Sequence, residues 1–222
     1  MNKNQQAIAE MRDGNYETAA KLFNEWIEEH PEDPVGYINF GNLLMHINEL
    51  PRAKAFFEKA IALDEDAATA YYGLGNLFFE QSVYARAQEN FQKAIELGLE
   101  EADVYYMLGL TLQKEEQFRL ALPYLLRATE LDQNDDELLF QYGLALAQSD
   151  YVTEAEPVFR KVLDRNAQHS DAHYNLGVID LYHDKPKSAR QHFEEALQYQ
   201  PDHVLAANGK KKVDELIGHD HK

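Results

Sequence analysis

The chain has no cysteine in its 222 residues, which removes disulfides, thiolate-held zinc or iron–sulfur centres and thiol nucleophiles together. It also has no long hydrophobic run. No segment approaches the roughly 18 apolar residues of a membrane span, and the opening MNKNQQAIAE lacks the apolar stretch of a secretory leader. A cytoplasmic protein is the expectation. Positive charge is scarce: 21 Lys and Arg stand against 39 Asp and Glu, for a formal net charge of -18. Nucleic acid and anionic membrane surfaces are therefore not expected as partners, because their phosphates need Lys and Arg. A partner chosen by charge would be basic. Neither charged linkers nor low-complexity stretches divide the chain, apart from the tail GHDHK at 218–222, which is expected to be disordered.

What the chain does have is a period. Written in rows of 34, its eighth position reads Ala7, Gly41, Gly75, Gly109, Gly143, Gly177. Position 20 is Ala19, Ala53, Ala87, Ala121, Ala155, Ala189, and position 24 is Phe23, Phe57, Phe91, Leu125, Phe159, Phe193. No insertion breaks the register. Within a row, apolar residues at positions 4, 7, 8 and 11 mark one helix face and those at 17, 20, 24, 27 and 28 another. Two short amphipathic helices per row follow. Small Gly and Ala stand where Phe or Leu of the partner helix must come close. Polar breaks such as NEL, DED, NDD and SDY fall between helices, and Pro34 and Pro186 fit first-turn positions, where the missing N–H costs little. A single helix pair cannot bury both apolar faces, so copies are stacked until neighbours cover them.

The pattern Tyr71, Gly75, Ala87, Phe91, Ala94 resembles the tetratricopeptide repeat, and the resemblance extends from about Met1 to His203. The chain is also similar to small bacterial proteins made wholly of such repeats. Five full repeats are read at 34–67, 68–101, 102–135, 136–169 and 170–203, preceded by a truncated capping repeat at 1–33 and followed by a capping helix at 204–217. The family's proline near the repeat end is kept as Pro31 and Pro201 but is Glu65, Leu99, Gln133 and Ala167 elsewhere. Trp26 replaces the usual small residue, which suggests that an end repeat has room for a large ring. The implied fold is all-α, a right-handed superhelical solenoid of helix-turn-helix repeats forming one elongated domain.

The resemblance implies a concave groove lined by the first helix of each pair, chiefly at positions 2, 5, 6, 9, 12 and 13. Position 5 carries Ile38, Tyr72, Tyr106, Phe140 and Tyr174; position 9 carries Asn42, Asn76, Leu110, Leu144 and Val178. Position 2 carries Val35, Thr69, Asp103, Glu137 and Asp171. These positions share a helical face. Tyr106, Phe140 and Tyr174 are then candidate peptide anchors, with Tyr72 in the same groove, and Asp103, Glu137 and Asp171 candidate receivers of Lys or Arg. Asn39, Asn42 and Asn76 are candidates to hold a peptide backbone, since an amide side chain both donates and accepts. The competing reading is that the aromatic rings only pack between neighbouring helices and that the acids are a solvated face. The family's carboxylate clamp uses Lys at position 5; none stands there, so chaperone-tail binding of that type is not expected.

Other classes find less support. GLGN at Gly73–Asn76 lacks the third glycine and the preceding strand of a phosphate loop. His169 and His173 stand four apart, as helix-borne metal ligands can, but no third ligand is fixed by spacing, so no metal site is expected. His219 and His221 could chelate adventitiously. Lys210, Lys211 and Lys212, the basic run, suit a solvated face. Self-assembly through exposed solenoid ends, or binding through the convex face, are the alternatives to groove binding. The expected protein is thus a monomeric, cofactor-free adaptor without catalysis, binding another protein or peptide with basic and apolar side chains.

Overall fold

The computed structural model describes the backbone of residues 1–219 and the side chains through residue 218. Among the described residues the regular elements are helices, and the contacts gather into two compact units, residues 1–116 and 117–222. The first holds α1 (Lys3–Arg12), α2 (Tyr16–Glu29), α3 (Pro34–His46), α4 (Leu50–Leu63), α5 (Ala68–Glu80), α6 (Tyr84–Glu96) and α7 (Ala102–Lys114). Here α1 packs on α2, α3 on α4 and α5 on α6, while α1, α3, α5 and α7 also meet in succession. The second holds α8 (Phe118–Leu131), α9 (Asp136–Gln148), α10 (Val152–Arg165), α11 (Ser170–Tyr182), α12 (Pro186–Tyr199) and α13 (Val204–His219). Successive helices pack pairwise, and α11 also touches α13. The period's five starts, residues 34, 68, 102, 136 and 170, are the first residues of α3, α5, α7, α9 and α11. The last helix begins at Val204 as expected but runs to His219, so residues 218 and 219 are helical rather than part of a disordered tail. Residues 220–222 of that tail lie outside the described residues.

Local chemistry explains the boundaries. Asp33 caps α3 through a bond from Val35 N–H to its carboxylate, with Pro34 in the first turn, and Asp135 accepts from Glu137 and Leu138. In unit 2 two histidines take the same place: Nδ1 of His169 accepts from Ala172 N–H, and Nδ1 of His203 from Ala206 N–H, each at 3.2 Å. Lys3 bridges Glu25 at 2.7 Å and Glu29 at 2.6 Å, tying α1 to α2; hydrogen bonds to these carboxylates push its ammonium up to about 12. One left-handed residue follows each first helix, at Gly14, Asn48, Ser82, Glu116, Asp150 and Asp184. In these turns two N–H groups fold back on the helix, as Ser82 does to Phe79 O and Val83 to Phe78 O.

The core repeats as the pattern requires. Phe23, Phe57, Phe91, Leu125, Phe159 and Phe193 are fully buried, each worth roughly 1.5–3 kcal/mol relative to exposure. Phe57 is wedged between two glycines: a Cβ added at Gly41 or Gly73 would lie 2.7 or 2.5 Å from its ring. Gly177 and Gly209 clasp Phe193 in the same way, at 2.6 and 2.8 Å. The space for Trp26 has a different origin from an open end. Its ring lies against Gly36 of α3, where a Cβ would come within 2.7 Å, and its Nε1–H donates to Asp33 at 2.8 Å. The matching position in the following repeats is Ala70, Val104, Leu138 and Ala172.

Candidate functional site

In unit 1, α3 and α5 present equal positions side by side because they begin 34 residues apart. Asn42, Met45 and His46 of α3, Asn76 and Glu80 of α5, and Met11 of α1 line an open recess of about 340 Å³. His46 is held at its rim by Tyr16, whose hydroxyl lies 2.6 Å from His46 Nε2. Asn42 is exposed and Asn76 half-buried. Asn39 is not open to a ligand in the same way, since its Nδ2 donates to the buried Asn4 of α1 at 3.1 Å. Tyr72 is half-buried with its ring 5.9 Å from that of Phe91. Burial pushes its hydroxyl above the ordinary 10.0, a hydrogen bond with Asn76 opposes this, and Asp103 and Glu101 add to the rise. Farther along this unit Asp103 is exposed, while Tyr106 and Leu110 are half-buried on α7.

Unit 2 treats its matching residues differently. Phe140 is only 8% exposed, lying 5.7 Å from the Phe159 ring and 4.6 Å from that of His169, so its ring belongs to the core and offers little surface to a peptide. Tyr174 is half-buried between Phe193 and His203, at 5.8 and 5.2 Å. Each of these rings is covered by the capping histidine of the next helix pair. Leu144 is half-buried against the same cluster as Phe140, whereas Val178 is exposed. The acids are engaged as well. Glu137 accepts from Gln141 at 2.8 Å, and Asp171 accepts from His203 Nε2 at 3.0 Å. Because Nδ1 of His203 accepts from a backbone amide, the proton must sit on Nε2, aimed at Asp171. The acidic edge of this unit is therefore partly occupied by hydrogen bonds from the fold's own side chains.

The remaining histidines and lysines pair otherwise than their spacing suggests. His169 caps α11, and His173 turns away to meet His192 and Glu195 of α12. Next to them is Asp180, 3% exposed, accepting from Ser188 Oγ at 2.5 Å and lying 3.8 Å from His192 Nε2. Burial lowers the His192 imidazolium below 6.5, against the pull of Glu195 and Asp180. The signal for Asp180 was in the rows: in the four full repeats before it the position holds the buried Leu44, Phe78, Leu112 and Leu146, although the first row carries Glu10 there. Gly73 and Gly75 lie inside α5 against Phe57 and Phe91, as packing rather than phosphate chemistry requires. Lys210 bonds Glu194 at 3.2 Å, and Lys211 and Lys212 are exposed. His221 lies outside the described residues, as does the side chain of His219. No described helix is long and apolar enough to cross a membrane.

Comparison with known proteins follows this geometry closely. The chain matches the TPR repeat over residues 41–82 and the tetratricopeptide repeat over 68–97, 106–168, 144–181 and 170–203. It is 55% identical over 40 residues to a TPR repeat-containing protein, YrrB of Bacillus subtilis (strain 168), a match that spans 18% of this chain and 19% of the relative. The crystal structure of YrrB, described as a TPR protein with an unusual peptide-binding site, superposes with a TM-score of 0.82 at 47% identity, covering 86% of this chain and 99% of that one. PilF of Pseudomonas aeruginosa shares the fold at 16% identity, with a TM-score of 0.80 over 95% of this chain and 96% of its own. MamA of Desulfovibrio magneticus RS-1 does so at 22% identity, TM-score 0.65, over 75% and 94%.

Proposed function

Because the chain belongs to the tetratricopeptide-repeat family, we propose that it is a non-catalytic cytoplasmic adaptor holding a segment of another protein against the first helices of its repeats. The observation that carries this reading is the recess in unit 1, where Asn42 and Asn76 stand together over Met11 and Met45. Two amide side chains can bond both N–H and C=O of an extended backbone, and methionines adapt to varied apolar side chains. Glu80 in the same recess and the net charge of -18 favour Lys or Arg on the ligand. The peptide-binding site described for YrrB, at 47% identity, supports the same reading. Tyr72, half-buried one turn before Asn76 on α5, and Asp103, Tyr106 and Leu110 on α7 extend the surface.

Panning a random peptide library on the full chain tests this directly. Peptides with Lys or Arg beside apolar residues are expected, with affinity falling about tenfold in an Asn42→Ala, Asn76→Ala variant whose helix content and melting point are unchanged. Equal binding by wild type and variant would remove the recess from the function. Peptides ending in acidic residues are expected to fail, for want of a lysine at position 5. A second reading, self-association, is favoured by Val204, Leu205 and Leu216, which α13 leaves exposed; light scattering at graded concentrations decides between it and the monomer proposed here.

A further inference from the structure

We propose that His173, His192 and Glu195 form a binding site for one divalent cation of the zinc class. Three donor atoms converge here. His173 Nδ1 and His192 Nδ1 are 3.5 Å apart, and Glu195 Oε2 lies 3.0 Å from the first and 3.2 Å from the second. These are the edges of one face of a coordination tetrahedron: ligands about 2.0–2.1 Å from a zinc ion lie about 3.3 Å from one another. The fourth position would fall to water. Imidazole nitrogen and carboxylate oxygen are the donors that borderline cations of this class take.

Proton placement argues for an ion over a simple hydrogen-bonded cluster. His173 Nε2 lies 3.0 Å from the carbonyl oxygen of Ala167, which only accepts, so the ring proton sits on Nε2 and Nδ1 presents a lone pair. That lone pair faces a carboxylate. His192 Nε2 lies 3.8 Å from Asp180, itself held by Ser188, and Nδ1 lies 3.2 Å from Glu195, so with the ring proton on Nε2 a second lone pair is turned to the same carboxylate. A proton on either Nδ1 reconciles Glu195 with that ring alone. A cation at the centre satisfies all three donors, while the carbonyl of Ala167 does for His173 what outer partners of metal-bound histidines do, fixing tautomer and ring direction, and Asp180 stands 3.8 Å from the far nitrogen of His192. The donors are also shielded, with side-chain exposures of 10% for His173, 15% for His192 and 31% for Glu195, and Tyr199 stacks over His173.

The rows of the repeat show that this constellation departs from the repeat's usual contacts. The position of His173 is elsewhere Lys3, Tyr37, Tyr71, Tyr105 and Leu139; that of His192 is Leu22, Phe56, Asn90, Tyr124 and Val158. Glu195 stands where the full repeats before it carry Lys59, Lys93, Arg127 and Lys161. The same positions touch in other rows with other chemistry, Lys3 bonding Glu25 and Lys59 lying 6.0 Å over the Tyr37 ring. In the last full repeat all three, and the buried Asp180 beside them, change together to metal-binding types. The ion would staple α11 to α12.

Isothermal titration with zinc chloride on the tag-free full chain tests the proposal, with His219→Ala and His221→Ala in every sample to remove adventitious chelation by the tail. One zinc per chain is expected, with a rise in melting temperature reversed by EDTA and, with cobalt(II), the visible absorption of a four-coordinate site. His192→Asn and Glu195→Lys install residues that inner repeats carry at those positions, so both variants should fold, as circular dichroism without metal would verify. Each should weaken zinc at least about 100-fold, and Asp180→Asn by about 10–100-fold. No zinc uptake by the wild-type cluster, or uptake unchanged in folded His192→Asn and Glu195→Lys variants, would overturn the assignment.

Discussion

Gly36 and Trp26 exchange volume across the contact of α2 with α3, and a double-mutant cycle isolates that exchange. Gly36→Ala alone places a Cβ 2.7 Å from the indole and should cost about 1–3 kcal/mol as overpacking. Trp26→Ala alone opens the site and frees the Asp33 oxygen that the indole N–H now occupies, at a cost of about 2 kcal/mol. The double variant recreates the small pair found elsewhere as Ala60 and Ala70, so the cost of Gly36→Ala should vanish in the Trp26→Ala background. Urea unfolding of the four proteins measures this; additive costs would mean that the ring and the glycine do not share the space. At this scale the sequence was partly legible. Rows of Gly, Ala and Phe showed which residues meet, whereas Trp26 was visible as an exception without its compensating Gly36, because compensation occurs between columns and not within one. The same limit applies around Asp180: its own column marks it as an exception, but the set it forms with its neighbours is legible only once α11 and α12 are placed side by side.

Each helix pair depends on a left-handed turn residue, and only the first, Gly14, is the type that takes this conformation without steric cost. Ser82 adopts φ 57° in the turn between α5 and α6. A non-glycine residue there costs roughly 1–2 kcal/mol, from which the greater unfolded-state freedom of glycine takes back about 0.4–1 kcal/mol. Ser82→Gly should therefore raise stability by about 0.5–1 kcal/mol, while Asn48→Gly, starting from a residue that tolerates φ 62° better, should change it less. Thermal melts ranking Asn48→Gly above Ser82→Gly would contradict the argument. Polar breaks such as NEL and SDY located these turns in the sequence, but Ser and Glu at the pivot do not announce a positive φ. Helix starts were more legible, since the period placed α3, α5, α7, α9, α11 and α13 at their first residues. The site was less so. Which face a first helix presents follows from the period, but whether that face is open depends on single neighbouring residues: His169 covers Phe140, His203 takes Tyr174 and Asp171, and Asn4 holds Asn39.

For the molecule as a whole, a chain of like units is only as stable as its last covered face. In unit 2 that face is the fully buried ring of Phe193, enclosed by Gly177 of α11 on one side and Gly209 of α13 on the other, with Ala206 and Val213 completing the cluster. Outside it, Arg190 bonds Asp214 at 2.6 Å and Lys210 bonds Glu194 at 3.2 Å; exposed pairs of this kind contribute at most about 1 kcal/mol each. Apolar burial is the larger effect. A stop after His203 removes α13, opens Phe193 to water and should cost roughly 1.5–3 kcal/mol from that ring alone. Hydrogen exchange should then accelerate first in α11 and α12, with α8 and α9 less affected, because contacts in a repeat array run between neighbours. Light scattering should show concentration-dependent association through the uncovered face, stronger at high salt, where the repulsion of net negative charge is screened. If the shortened chain stays monodisperse and its exchange is unchanged, α13 is not a cap, and its start 34 residues after that of α11 would have to serve a partner instead.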